Sequence, residues 1–245
     1  MSERKGKRET LSPGKAGGKR IDFLDVWRSV CVWMMLLYHA AYDLMVFGLL
    51  PAALETHPLT RVYTALCSGG FILLSGFCIR ISHNPFRRGL IVFASAMLVS
   101  AGSRLAGLPI YFGVLHLLGS CMLLYVLLRR GIERLTADWR LIFACLLLFA
   151  AAFTWVPTLR VGAGWLFPLG LRRDDFYSSD YYPLLPWAFL FLTGTLLGQS
   201  PDFPWDSPAL RRNYPAALTF CGRHSLAIYL IHQPLLFGIC WLLFR

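Results

Sequence analysis

The chain has 245 residues, 56% of them hydrophobic and 15% charged, with a mean hydropathy of +0.54. These proportions exclude a soluble globular domain and point to an integral membrane protein. The net charge of +11 would suit nucleic acid, but all four lysines lie in the first nineteen residues and the arginines flank apolar stretches, which argues against that partner.

Residues 1–20 form a Gly- and Ser-containing basic tail too polar to pack, and a disordered segment is expected there. The apolar run that follows is too long for a signal peptide and lacks a small-residue cleavage site, so it reads as a retained first helix. A bilayer core of about 30 Å takes about 20 apolar residues per helix. Seven such stretches are predicted, at residues 24–49, 61–81, 89–107, 111–128, 140–157, 183–198 and 221–244, with only "GLPI" separating the third from the fourth. The expected fold is an all-α polytopic helical bundle of about seven transmembrane helices, in one domain over residues 21–245. Two connections are long. Residues 158–182 contain Gly turns, aromatics and mixed charge, and residues 199–220 carry four prolines that forbid a long helix.

Assigned by side, 18 of the 24 basic residues fall together: the tail, Arg28, and the turns holding Arg80, Arg87 and Arg88, then Arg129 to Arg140, then Arg211, Arg212 and Arg223. The positive-inside rule makes that side cytoplasmic, with the N-terminus inside and the C-terminus outside. The seven cysteines stand singly, with no C-x-x-C and no His at metal spacing, so neither a metal nor a haem is expected.

Ionisable groups at membrane depth are costly and mark function by default. In "DVWRSVCVWMMLLYHAAYDL", residues 25–44, Arg28 and His39 are eleven steps apart, about three helical turns, and share a face. Asp43 follows His39 by four residues and is expected to touch its imidazole one turn further on. A carboxylate beside an imidazole is the orienter-plus-base half of a general-base site, while each group singly would also serve as polar glue between helices. His116 in "YFGVLHLLGS" lies between Gly113 and Gly119, on a face open to close approach. "GRHSLAIYLIHQP" places Arg223 and Ser225 at the cytoplasmic approach, with Tyr229, His232 and Gln233 deeper. Ser75 and Gly76 in "FILLSGFCIR" read as packing residues.

These segments, with "SDYYPLLPWAFLFLTGTLLG", occur in the order expected of bacterial members of the heparan-alpha-glucosaminide N-acetyltransferase catalytic-domain family, which most of residues 20–240 resembles. The Arg28-x10-His39 spacing also resembles the first-helix signature of the wider transmembrane acyltransferase group. The resemblance implies an acyltransferase of the bacterial inner membrane that moves acetyl or another acyl group from cytoplasmic acetyl-CoA or acyl-CoA to an extracytoplasmic acceptor, a sugar or envelope glycan. It implies His39 as the catalytic histidine, with Asp43 as its orienter, and Arg28 near the coenzyme. Arg80, His116, Arg223, Ser225, Tyr229 and His232 are further candidates for the coenzyme side. Asp180, Tyr181 and Trp187 are candidates for the acceptor side, because carboxylates and aromatic faces suit sugars. A homo-oligomer is compatible with the sequence. The competing reading is a proton-coupled small-molecule transporter with a His–Asp relay. A retinal protein is disfavoured because no lysine follows Lys19.

Overall fold

The computed structural model describes residues 21–244; the basic tail over residues 1–20 lies outside them. In chain order the helices are α1 (Asp22–Val46), α2 (Ala53–Thr56), α3 (Pro58–Arg80), α4 (Pro85–Leu105), α5 (Val114–Ile132), α6 (Trp139–Trp155), α7 (Leu184–Gln199), α8 (Pro208–Arg211), α9 (Ala216–Arg223) and α10 (Ser225–Phe244). Among the described residues, extended pairing is limited to two isolated bridges, Phe112 with Tyr181 and Arg160 with Arg172.

Local chemistry sets the helix starts. Pro58 and Pro85 occupy first-turn positions, where a missing N–H costs nothing. Ahead of them His57 Nδ1 accepts from the Leu59 amide and Asn84 Oδ1 from the Arg87 amide. Asp138 caps α6 by accepting from the Leu141 amide at 2.9 Å.

Six helices, α1, α3, α4, α5, α6 with its terminal turn, and α10, are long and apolar enough to cross a membrane. The predicted stretch 183–198 corresponds to α7, an apolar helix of 16 residues. It is short of the usual span, but α3, α5 and α6 pack around it and bury Trp187, Leu190, Phe191, Thr193, Thr195 and Leu196. The α3–α7 crossing is close. A Cβ on Gly76 would stand 2.0 Å from the Phe191 carbonyl oxygen, and one on Gly194 2.0 Å from that of Leu73, so only glycine lets the backbones meet.

The last predicted stretch, 221–244, is divided. α9 ends at Arg223 and α10 begins at Ser225. The physical reason lies in the docking of α9 on α1: Ser29 Oγ accepts from the Gly222 amide at 2.7 Å, and a Cβ on Gly222 would fall 1.9 Å from the Asp25 carbonyl oxygen. α9 therefore lies against the first turns of α1, and α10 sets off from there along the rest of it. The 199–220 connection forms a single turn, α8, before α9, as its prolines require.

Candidate active site

Arg28 of α1 and Arg87 and Arg88 of the first turn of α4 come together in the bundle. Between α1, α3, α4, α5 and α10 lies a cavity of about 440 Å³. Arg28, Asn84, Arg87 and Arg88 supply its polar groups together with Ser75, Ser225 and Tyr229, and Phe71, Ile91, Leu115, Leu118 and Met122 are among its apolar walls. Its size and mixed lining are those of a small-molecule pocket. Arg28 is held in place from two sides, donating through Nη1 to Asp25 Oδ1 and through Nη2 to Cys78 Sγ, both at 2.7 Å. Arg87 and Arg88 lie in the first turn of α4, where the helix dipole disfavours cations and favours anions. Three guanidinium groups thus line the same cavity as these apolar walls.

Tyr229 connects this cavity with the seam between α1 and α10. One turn beyond it, His232 Nδ1 lies 2.6 Å from the Tyr229 carbonyl oxygen. The His39 and His232 rings meet edge to face with centroids 4.8 Å apart. The next level of the seam is Asp43, 1% exposed, whose Oδ1 accepts from Gln233 Nε2 at 2.9 Å. The stripe of Arg28, His39 and Asp43 on α1 thus faces α10 along its length. The expected His39–Asp43 hydrogen bond is not among the contacts of the described residues. Asp43 is engaged by Gln233 instead, and the neighbour of His39 is a second imidazole rather than a carboxylate.

The other predicted residues are placed elsewhere. His116 is buried, but its Nδ1 accepts from the Gly113 amide at 3.2 Å and its Nε2 lies 3.3 Å from Ser100 Oγ. Both nitrogens are used in closing the start of α5 and tying it to α4, and the residue does not line the cavity. Arg80 pairs with Glu133, which Arg129 also reaches at 2.8 Å; these contacts hold the Glu133 carboxyl below its ordinary range, the Arg129 hydrogen bond most strongly. Arg223 binds Asp22 at 2.9 Å and Asp25 at 3.5 Å, so it braces α9 on α1 behind Arg28.

At the start of α5, Asp180 Oδ2 accepts from the amide of Val114, a residue that itself lines the cavity, at 3.2 Å. Its carboxyl is enclosed although the residue as a whole keeps some exposure, and burial raises its pKa to about 6 against the opposing pull of that hydrogen bond. Tyr181 donates to the Phe167 carbonyl at 2.6 Å, and burial pushes its phenol up to about 12. Trp187 packs against Phe149, Phe153 and Tyr182. These three acceptor-side candidates order the 158–182 loop on the bundle. A second, surface pocket there is lined by Arg160, Arg173, Asp174 and Asp175, whose charges pair with each other at 3.4 Å and 3.0 Å.

The chain matches the family model described as heparan-alpha-glucosaminide N-acetyltransferase, catalytic, over residues 20–234. It belongs to that family. The matched segment begins just before α1 and closes immediately after Gln233, so it contains the cavity, the imidazole pair and the Asp43–Gln233 contact. The protein is accordingly a multi-pass membrane protein of an acetyltransferase family. No curated protein and no solved structure matches the chain.

Asn84, Arg87, Arg88 and Ser75 were not singled out from the sequence as site residues. A signal for the first three exists in "NPFRR": a capping Asn, a first-turn Pro and two arginines where the helix dipole opposes them. Such a pair is best satisfied by an anion from outside the helix.

Proposed function

We propose that the protein takes an acyl group from acyl-CoA bound at the arginine-lined cavity and transfers it across the bundle to an acceptor on the other side of the membrane. The observation that carries this reading is the cavity itself, lined by Arg28, Arg87 and Arg88 together with apolar walls and Tyr229. Guanidinium forks suit the phosphates of the coenzyme, and the apolar walls suit its slender pantetheine arm. The positive-inside rule puts these arginines on the cytoplasmic side, where acyl-CoA is made, with the N-terminus inside and the C-terminus outside. In a bacterial cell this is the inner membrane. Acetyl is the acyl group that the family's name suggests, and a glucosaminide or a related envelope glycan is the corresponding acceptor.

In this reading Arg28, Arg87 and Arg88 hold phosphate oxygens, with Asn84, Ser225 and Tyr229 in the same lining. His39, the position matching the family histidine, acts on the reacting groups at the seam. The chemistry asked of the imidazole pair that His39 forms with His232 is proton transfer, worth about 10²- to 10⁴-fold in rate. The competing transporter reading rested on a His39–Asp43 relay, and the contact of Asp43 with Gln233 removes its support.

The test is transfer from labelled acetyl-CoA by the protein reconstituted in vesicles, with glucosamine as probe acceptor. His39→Ala is expected to lower transfer by about 10²-fold or more while CoA still raises the melting temperature. Undiminished transfer by a folded His39→Ala protein would remove His39 from the mechanism. If CoA fails to stabilise the wild type, the donor assignment is wrong.

A further inference from the structure

The seam between α1 and α10 contains three buried polar atoms that no protein group reaches: Nε2 of His232, Oε1 of Gln233 and Oδ2 of Asp43. Buried polar atoms are nearly always satisfied, so three on adjoining levels of one seam call for an explanation. Their chemistry is uniform. A carbonyl can only accept, so the 2.6 Å contact between His232 Nδ1 and the Tyr229 carbonyl puts the ring proton on Nδ1 and leaves Nε2 of the neutral imidazole as a bare lone pair. Gln233 Nε2 donates to Asp43 Oδ1, which turns the Gln233 carbonyl oxygen away as a second acceptor, and the remaining carboxylate oxygen is a third. The seam therefore lacks donors. It is built for a molecule that brings N–H or O–H groups.

We propose that this seam is the acceptor site, and that Nε2 of His232 is the atom that removes the proton from the acceptor's nucleophile. The inference rests on the acyltransferase reading and replaces the outer-loop residues Asp180, Tyr181 and Trp187 as the place where the acceptor is held. Asp43 Oδ2 and Gln233 Oε1 receive donors of the bound acceptor. Its amine or hydroxyl attacks the thioester carbonyl carbon and passes its proton to His232 Nε2. The new C–N or C–O bond forms, the C–S bond breaks with its electron pair on sulfur, and the proton returns from His232 to the departing thiolate as the free thiol of CoA. Both imidazoles end neutral. Tyr229 is the positioning residue in this scheme: its carbonyl fixes the tautomer of His232, and its side chain lines the donor cavity.

The decisive variant is His232→Asn. An Asn amide N–H occupies the place of Nδ1 and can still donate to the Tyr229 carbonyl, while nothing basic remains at the place of Nε2. Expected is a loss of transfer to glucosamine of about 10²-fold or more, with the stabilisation by CoA retained. Transfer above a tenth of wild type by a CoA-binding His232→Asn protein would overturn the assignment. Asp43→Asn keeps an acceptor for Gln233 and turns the other atom into a donor; it should raise KM for the acceptor several-fold and leave KM for acetyl-CoA unchanged. An equal change in both constants would overturn the acceptor site. ¹⁵N spectra of histidine-labelled protein, assigned with His232→Asn, decide the point without any acceptor. A protonated Nε2 in the neutral His232 would sink the proposal even if transfer is found, whereas an unprotonated Nε2 in a protein that CoA does not stabilise would keep the site and sink the acyl-CoA reading.

Discussion

Asp180 illustrates how a single carboxyl can be placed for structure and leave a mark on solution behaviour. Burial raises its pKa from 3.8 to about 6, so the folded protein holds its proton more tightly than the unfolded chain does. The stabilising contribution is complete below about pH 4 and is lost as pH rises through about 6. Asp180→Asn keeps an oxygen for the Val114 amide and never ionises. Its melting temperature relative to wild type should climb between pH 4 and pH 6.5, and a difference that stays constant with pH would refute the account. At this same scale the sequence was informative about α1 alone: helical arithmetic put Arg28, His39 and Asp43 on one face, and that face does look toward α10. It could not supply their partners. Gln233 for Asp43 and His232 for His39 come from about 190 residues away, and nothing in a local spacing encodes which imidazole or amide another helix will bring. His116, read as a coenzyme-side candidate, does not line the cavity. Its partners, the Gly113 amide and Ser100, are nearby, but a capping histidine and a ligand histidine look alike in sequence.

Among helices, the crossings matter more than the lengths. α3 and α7 meet where Gly76 and Gly194 each face a backbone carbonyl at a distance that admits no side chain. Gly194→Val should cost at least the upper end of the about 1–3 kcal/mol typical of overpacking, read as a lower melting temperature in detergent. A neutral result would mean that the crossing is looser than described. The same logic applies to Gly222, where α9 docks on Asp25 and Ser29. The break between α9 and α10 falls in the polar run Gly222 to Ser225, which was read from the sequence as the approach to one helix, and the close docking of Gly222 on α1 turns it into a break. The apolar stretches were legible, and six of the described helices are long and apolar enough to cross a membrane, whereas α7 is shorter and enclosed by its neighbours and the last stretch is divided between α9 and α10.

For the molecule as a whole, three of the arginines counted for topology, Arg28, Arg87 and Arg88, line one cavity. Arg87 and Arg88 were read from the sequence only as markers of the inner face, and their further place at the cavity depends on how the α3–α4 turn packs beside α1. Arg87→Ala and Arg88→Ala should each weaken CoA binding about tenfold, the loss of one charge-assisted hydrogen bond, and make it less sensitive to salt. Titration of CoA at two ionic strengths measures both effects. The two sides of the reactive seam are α1 and α10, the earliest and the latest of the described helices. During synthesis, everything between them must be threaded and inserted before His39 can meet His232, so a nascent chain halted ahead of α10 carries a helix with a buried-type Asp43 and no amide to receive it. On the proposed reading, completion of the reactive centre therefore waits for α10, and a chain halted before it lacks the imidazole that receives the acceptor's proton.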